Sequence, residues 1–88
     1  MNAIEHAMLA VLAAGSGDTV AAQRHLVAAE QRTRTTARRE RQIVEIAALA
    51  VAGREVRAAG LALEHTHEFP IDAELLARLV PPDRDRVR

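Results

Sequence analysis

The sequence predicts an all-α fold of two stacked antiparallel helical hairpins followed by a short fifth helix. Three observations predict it. Gly17-Asp18-Thr19-Val20-Ala21-Ala22 and Gly53-Arg54-Glu55-Val56-Arg57-Ala58 repeat one pattern at an offset of 36 residues. Each copy opens an Ala-rich run with helical spacing of its apolar residues. Prolines at Pro70 and at Pro81-Pro82 then close the last two runs. A hairpin of this length cannot hide its apolar face alone, so the copies lie side by side and the shared surface becomes the core.

Helix 1 is expected over about Asn2 to Ala14, with Ile4, Ala7, Met8, Val11 and Leu12 on one face. Gly15-Ser16-Gly17 ends it, because glycine tolerates the left-handed backbone of a helix stop. Asp18 is placed to cap helix 2, which runs to about Gln31 with Val20, Ala21, Leu26, Val27, Ala28 and Ala29 as its apolar face. Arg32-Thr33-Arg34-Thr35-Thr36 breaks the periodicity and reads as a connector, with Thr35 or Thr36 as the next N-cap. Helix 3, about Ala37 to Ala52, starts charged and is almost wholly apolar from Ile43 onward, the pattern of a central helix. Gly53 ends it. Helix 4 runs to Glu68 with Val56, Ala59, Leu61 and Leu63 available for burial, and Phe69-Pro70 stops it. Helix 5, about Asp72 to Val80, shows Leu75, Leu76, Leu79 and Val80, and residues 81–88 read as a charged tail.

With 88 residues and no Cys, the chain is one small domain without a disulfide framework or a thiolate metal site. Phe69 is the single aromatic, so helices approach closely but few large side chains fill the space between them. Oligomerisation is the remaining source of extra burial for so small a core. All twelve basic residues are Arg, which reads as compositional bias. The zero net charge is uneven: residues 32–57 carry seven Arg against three Glu, whereas residues 1–31 and 58–80 are net acidic. The apolar run Ala7 to Ala14 is preceded by Glu5 and His6 where a signal peptide needs basic residues, and no stretch reaches the roughly 20 apolar residues of a membrane span. A soluble, cytoplasmic chain is the expectation.

The pattern resembles the tetratricopeptide repeat. With Gly17 and Gly53 at the turn of that motif, Ala22 and Ala58 fall on its small residue, Ala29 on the later small position, Leu26 on a large apolar position and Pro70 on the closing proline. Arg39-Glu40-Arg41-Gln42-Ile43-Val44, Gly53, Glu64-His65 and Phe69-Pro70-Ile71-Asp72 are similar to early repeats of the thirty-eight-type tetratricopeptide proteins. Copy one lacks the closing proline, the aromatic signature positions hold small or aliphatic residues, and in copy two Ala62 and His65 replace the large and small residues. The resemblance implies peptide or protein binding in a groove lined by the first helix of each hairpin. Those positions map to Ile4, Ala7, Met8 and Val11, then Glu40, Ile43, Val44, Ala47 and Val51. The Lys and Asn residues with which some relatives clamp a C-terminal carboxylate are missing, so that activity does not carry over.

Four constellations bear on chemistry. Glu64-His65-Thr66-His67-Glu68 comes nearest to a metal or acid-base site, yet on a helix His65 points away from Glu64, His67 and Glu68, and the spacing fits no zinc motif. It reads as a solvated helix end with His65 partly packed, and His6 and His25 read as scattered and exposed. Arg32, Arg34, Arg38, Arg39 and Arg41 form the strongest charge signal. Such a cluster suits phosphates, but no aromatic accompanies it to stack on bases. Arg41 with Glu45 and Arg38 with Gln42 at i, i+4 favour ordinary surface pairing or docking on an acidic partner. Ser16 has no His and acid in a recognisable motif beside it. Gly15-Ser16-Gly17-Asp18 resembles a phosphate loop only superficially, since no Lys follows and Asp18 repels phosphate.

The sequence thus points to a protein-binding or assembly module rather than an enzyme, with no cofactor and no metal site, and a homodimer as the expected form. Its expected interaction surface is Ile4, Met8, Val11, Ile43, Val44, Ala47 and Val51 together with Leu75, Leu76, Leu79 and Val80. An Arg-mediated nucleic-acid adaptor is the alternative, and a small-molecule or metal site between hairpins is the third reading.

Overall fold

The structure, a computed structural model, describes residues 1–80; the tail expected at 81–88 lies outside them. The chain is all-helical. Its α-helices are α1 (Ala3–Gly15), α2 (Thr19–Arg32), α3 (Arg38–Val51), α4 (Glu55–Glu68) and α5 (Ala73–Leu79), and a 3-10 turn at Pro70–Asp72 leads into α5.

The repeat seen in the sequence is a repeat of backbone geometry. Gly17 and Gly53 both take positive φ, 82° and 77°. In the first turn the Gly17 amide donates to the Ala14 carbonyl at 3.1 Å and the Asp18 amide to Ala13 at 2.9 Å. In the second, Gly53 donates to Ala50 at 3.1 Å and Arg54 to Leu49 at 2.9 Å, each shifted by the same 36 residues. This is the Schellman closure, in which two amides past the helix satisfy carbonyls that have lost their helical donors. A left-handed residue is required at its pivot, which is why glycine recurs there.

The helix starts are less regular. Asn2 and Glu5 form a reciprocal capping box at α1, with 2.8 Å bonds in both directions. Asp18 caps α2 through Ala21 at 3.0 Å as expected. Neither Thr35 nor Thr36 caps α3, whose N-cap is Ala37 with no side-chain bond. The connector threonines act behind them instead: the Thr33 hydroxyl donates to the Glu30 carbonyl and the Thr36 hydroxyl to the Thr33 carbonyl, closing the end of α2.

Small residues do most of the close packing. Ala3, Ala7 and Ala10 of α1 are buried with Leu26 and Ala29 of α2 and with Val44 and Ala47 of α3. A second cluster joins Ile43 and Ile46 of α3 to Ala58 of α4 and to Leu76 and Leu79 of α5. The central role expected of α3 holds, since it supplies buried residues to both clusters. The apolar faces expected on its neighbours are rotated. Leu12, Val20, Val27, Val56 and Leu63 are exposed, while Ala22, Ala29 and Ala58 are sealed. Where alanines allow two backbones to approach, the seam follows the small side chains and the larger ones are turned outward. Among the described residues, no helix is long and apolar enough to cross a membrane.

Candidate functional site

Two features stand out from a core that is otherwise aliphatic: a buried polar knot between α3, α4 and the turn before α5, and an apolar outer face on α4.

The knot is built by Pro70. The residue before proline leaves helical geometry, and Phe69 does so at φ −126°, ψ 76°. The tight 3-10 turn that follows, with the Asp72 amide donating to the Phe69 carbonyl at 3.0 Å, swings the Asp72 side chain inward. There its carboxylate is only 2% exposed. Arg39 of α3 holds it through Nε to Oδ2 at 2.8 Å and Nη2 to Oδ1 at 2.5 Å, a two-pronged fit of guanidinium to carboxylate. His65 of α4 meets Oδ2 through Nε2 at 2.7 Å, and its Nδ1 faces Gln42 Oε1 at 2.7 Å. The His65 ring also packs on Phe69, with centroids 4.9 Å apart.

Both nitrogens of His65 thus face oxygens. Either the ring is an imidazolium donating twice, or it is neutral, with the Gln42 amide turned so that its NH2 donates to Nδ1. Nε2–H points to Asp72 in both arrangements. Hydrogen bonding from Arg39 holds the Asp72 carboxyl below the usual carboxylate range, against the opposing effect of burial, and the bond from His65 adds to it. The same pairing raises the Arg39 guanidinium above its ordinary value. Nearer the surface, Arg38 grips Glu68 with both guanidinium nitrogens. Two helices, α3 and α4, and a turn are therefore tied by one polar cluster, in which no buried side-chain polar atom lacks a partner.

His65 occupies the position that is Ala29 one repeat earlier, and both residues are buried. The larger polar side chain fits in copy two because Gln42 and Asp72 satisfy its ring. Sequence reading placed His65 as partly packed but missed Asp72 and Gln42; a polar residue at a repeat's small-residue position was the available signal.

The arginine cluster is divided by these contacts. Arg38 pairs with Glu68 at the surface and Arg39 with buried Asp72, so Arg38 does not pair with Gln42 as its spacing suggested. Arg32 donates to the Met1 and Ala28 carbonyls, and Arg34 and Arg41 are exposed. His6 and His25 are neither scattered nor fully exposed. They meet across α1 and α2 with Nδ1 atoms 3.0 Å apart. The Ser16 hydroxyl donates to the Leu12 carbonyl at 3.0 Å within its turn.

The expected interaction surface needs a correction. Ile43, Val44, Ala47, Leu76 and Leu79 are interior: α1 and α2 cover Val44 and Ala47, while Ile43 packs with Ala58 of α4 and with Leu76 and Leu79 of α5. Ile4, Met8, Val11, Val51, Leu75 and Val80 are half-buried along the edge of that core. The large apolar side chains that do face solvent lie elsewhere. On α4, Val56 is 69% and Leu63 76% exposed, two turns apart on the side opposite buried Ala58 and His65.

No family model, curated protein or solved structure matches the chain. The buried polar atoms of the knot are all partnered, whereas the α4 face is open.

Proposed function

We propose that this chain is a tetratricopeptide-like helical-repeat module that binds protein, itself included, through apolar helix faces. The observation that carries the reading is the exposure of Val56 and Leu63 on a helix whose inner side is fully engaged. Large apolar side chains aligned on one exterior face are a feature of interaction sites. The paired Schellman turns and the sealed alanines at Ala22 and Ala58 support the tetratricopeptide-like part of the reading. An Arg-mediated nucleic-acid adaptor has less behind it, since two of its five arginines are held by Glu68 and Asp72.

Light scattering over a series of micromolar concentrations tests the proposal. A mass above that of one chain, rising with concentration, is expected. A constant monomer mass would count against self-association.

A further inference from the structure

The outer face of α4 carries more than two exposed apolar residues. Val56, Gly60, Leu63 and His67 follow one another at spacings of four, three and four, the seam of a helix that packs along another helix. All four are exposed. Arg57 and Glu64 each follow a seam residue directly and so lie on one flank, while Ala59 and Thr66 lie on the other. Beyond Glu68, which Arg38 already holds, the charged flank carries one cation and one anion seven residues apart, and the other flank is small, with Glu55 at its start.

That order is informative about the occupant. Arg57 and Glu64 are too far apart to pair with each other along one helix. Among the described residues Arg38–Glu68 and Arg39–Asp72 pair, His65 also meets Asp72, and none of these contacts uses Arg57 or Glu64. If a second copy of α4 lies antiparallel across the seam, a two-fold axis brings the charged flank of one helix against the same flank of the other. Arg57 then faces the partner subunit's Glu64, and Glu64 the partner subunit's Arg57. A parallel copy would not create this reciprocity.

Shape agrees with charge. Gly60 has open space where a Cβ would stand, with nothing within 4 Å. In the antiparallel arrangement the Leu63 side chain of one copy lies over the backbone at Gly60 of the other, twice by symmetry. A glycine inside an exposed helix is less favourable than alanine, and a close helix crossing gives this one a use.

We infer that α4 is a self-complementary docking face, on which a second copy of this chain packs antiparallel with Leu63 over Gly60 and two reciprocal Arg57–Glu64 ion pairs. This rests on the self-association proposed above and specifies its surface. A seam of three to four turns buries less than a standard interface, so the dimer is weak and reversible, with a Kd roughly in the micromolar range.

Sedimentation equilibrium on the full chain from about 10 to 300 µM, spanning that range, tests it. The wild type is expected to dimerise, Leu63→Glu to weaken dimerisation at least tenfold, and Arg57→Glu to weaken it several-fold. Combining Arg57→Glu with Glu64→Arg is expected to restore the wild-type Kd. All three positions are solvent-facing, and circular dichroism of each variant checks that the helices persist. Restoration by the double exchange supports the geometry. A dimer indifferent to Leu63→Glu and to Arg57→Glu overturns this inference while leaving self-association standing. A wild type that stays monomeric throughout overturns both.

Discussion

Replacing Asp72 by Asn removes one charge from the polar knot with almost no change in volume, which makes it the most informative perturbation of the fold. The carboxylate accepts three bonds, two from Arg39 and one from His65, at 2.8, 2.5 and 2.7 Å. An amide offers a single acceptor oxygen, so at least one donor loses its partner. If that donor is on His65, which is 2% exposed, the penalty is about 1–3 kcal/mol. Removing one member of a buried ion pair typically costs about 3–5 kcal/mol. The Arg39 side chain is 38% exposed and can turn to water, which discounts that figure. The net expectation is about 2–4 kcal/mol, a large share of the roughly 5–15 kcal/mol that holds a domain together. The melting temperature should fall by about 10–25 °C.

Urea and thermal unfolding followed by circular dichroism would measure the loss, with Arg39→Gln and the double variant completing a cycle. A coupling energy above about 1 kcal/mol is expected. The pH dependence gives an independent check. Because the folded carboxyl lies below its ordinary 3.8, its contribution is present above that pH and is lost as pH falls from 3.8 through the folded value. Asp72→Asn should make stability fall less steeply over that acid range. A variant within about 0.5 kcal/mol of wild type, or fully additive single losses, would refute the knot as a stabilising unit.

Three further predictions follow from local geometry. Arg54 stands at the N-cap of α4 without a capping bond, where copy one has Asp18; Arg54→Asp should stabilise the chain by about 1 kcal/mol in urea unfolding. Gly53→Ala should destabilise by about 1–2 kcal/mol, because its left-handed backbone is strained for any side chain even though no atom would clash, and equal stability would contradict the turn. His6 sits below its ordinary 6.5, through partial burial first and then the nearby Arg32, His25 and N-terminal charges, partly offset by Glu5. Its lowered value means that stability is full above pH 6.5 and declines as pH falls below it, so thermal scans should show a drop that His6→Gln lessens.

The parts of this fold that were legible in the sequence are those in which the backbone itself demands a residue type. Glycine at positions 17 and 53 was readable because a left-handed pivot needs it, and Pro70 because it stops a helix. Element order and type followed from these signals and from helical spacing. The helix faces were harder to read. Periodicity weights large apolar side chains and so predicts Val20, Val56 and Leu63 on inner faces, but a seam built on Ala7, Ala22 and Ala58 lets helices approach on their small sides. Of the polar knot only His65, at a repeat's small-residue position, was legible. The knot depends on a three-residue turn that carries Asp72 back toward His65 and Arg39, partners seven and thirty-three residues away, and no helical period connects them.

Small-angle X-ray scattering of the wild-type chain over a concentration series tests the central claim, self-association through an exposed helix face, most directly. The account predicts a forward-scattering mass that climbs from 9.6 kDa toward twice that value, with the radius of gyration growing in step. A mass fixed at 9.6 kDa across the series would contradict it.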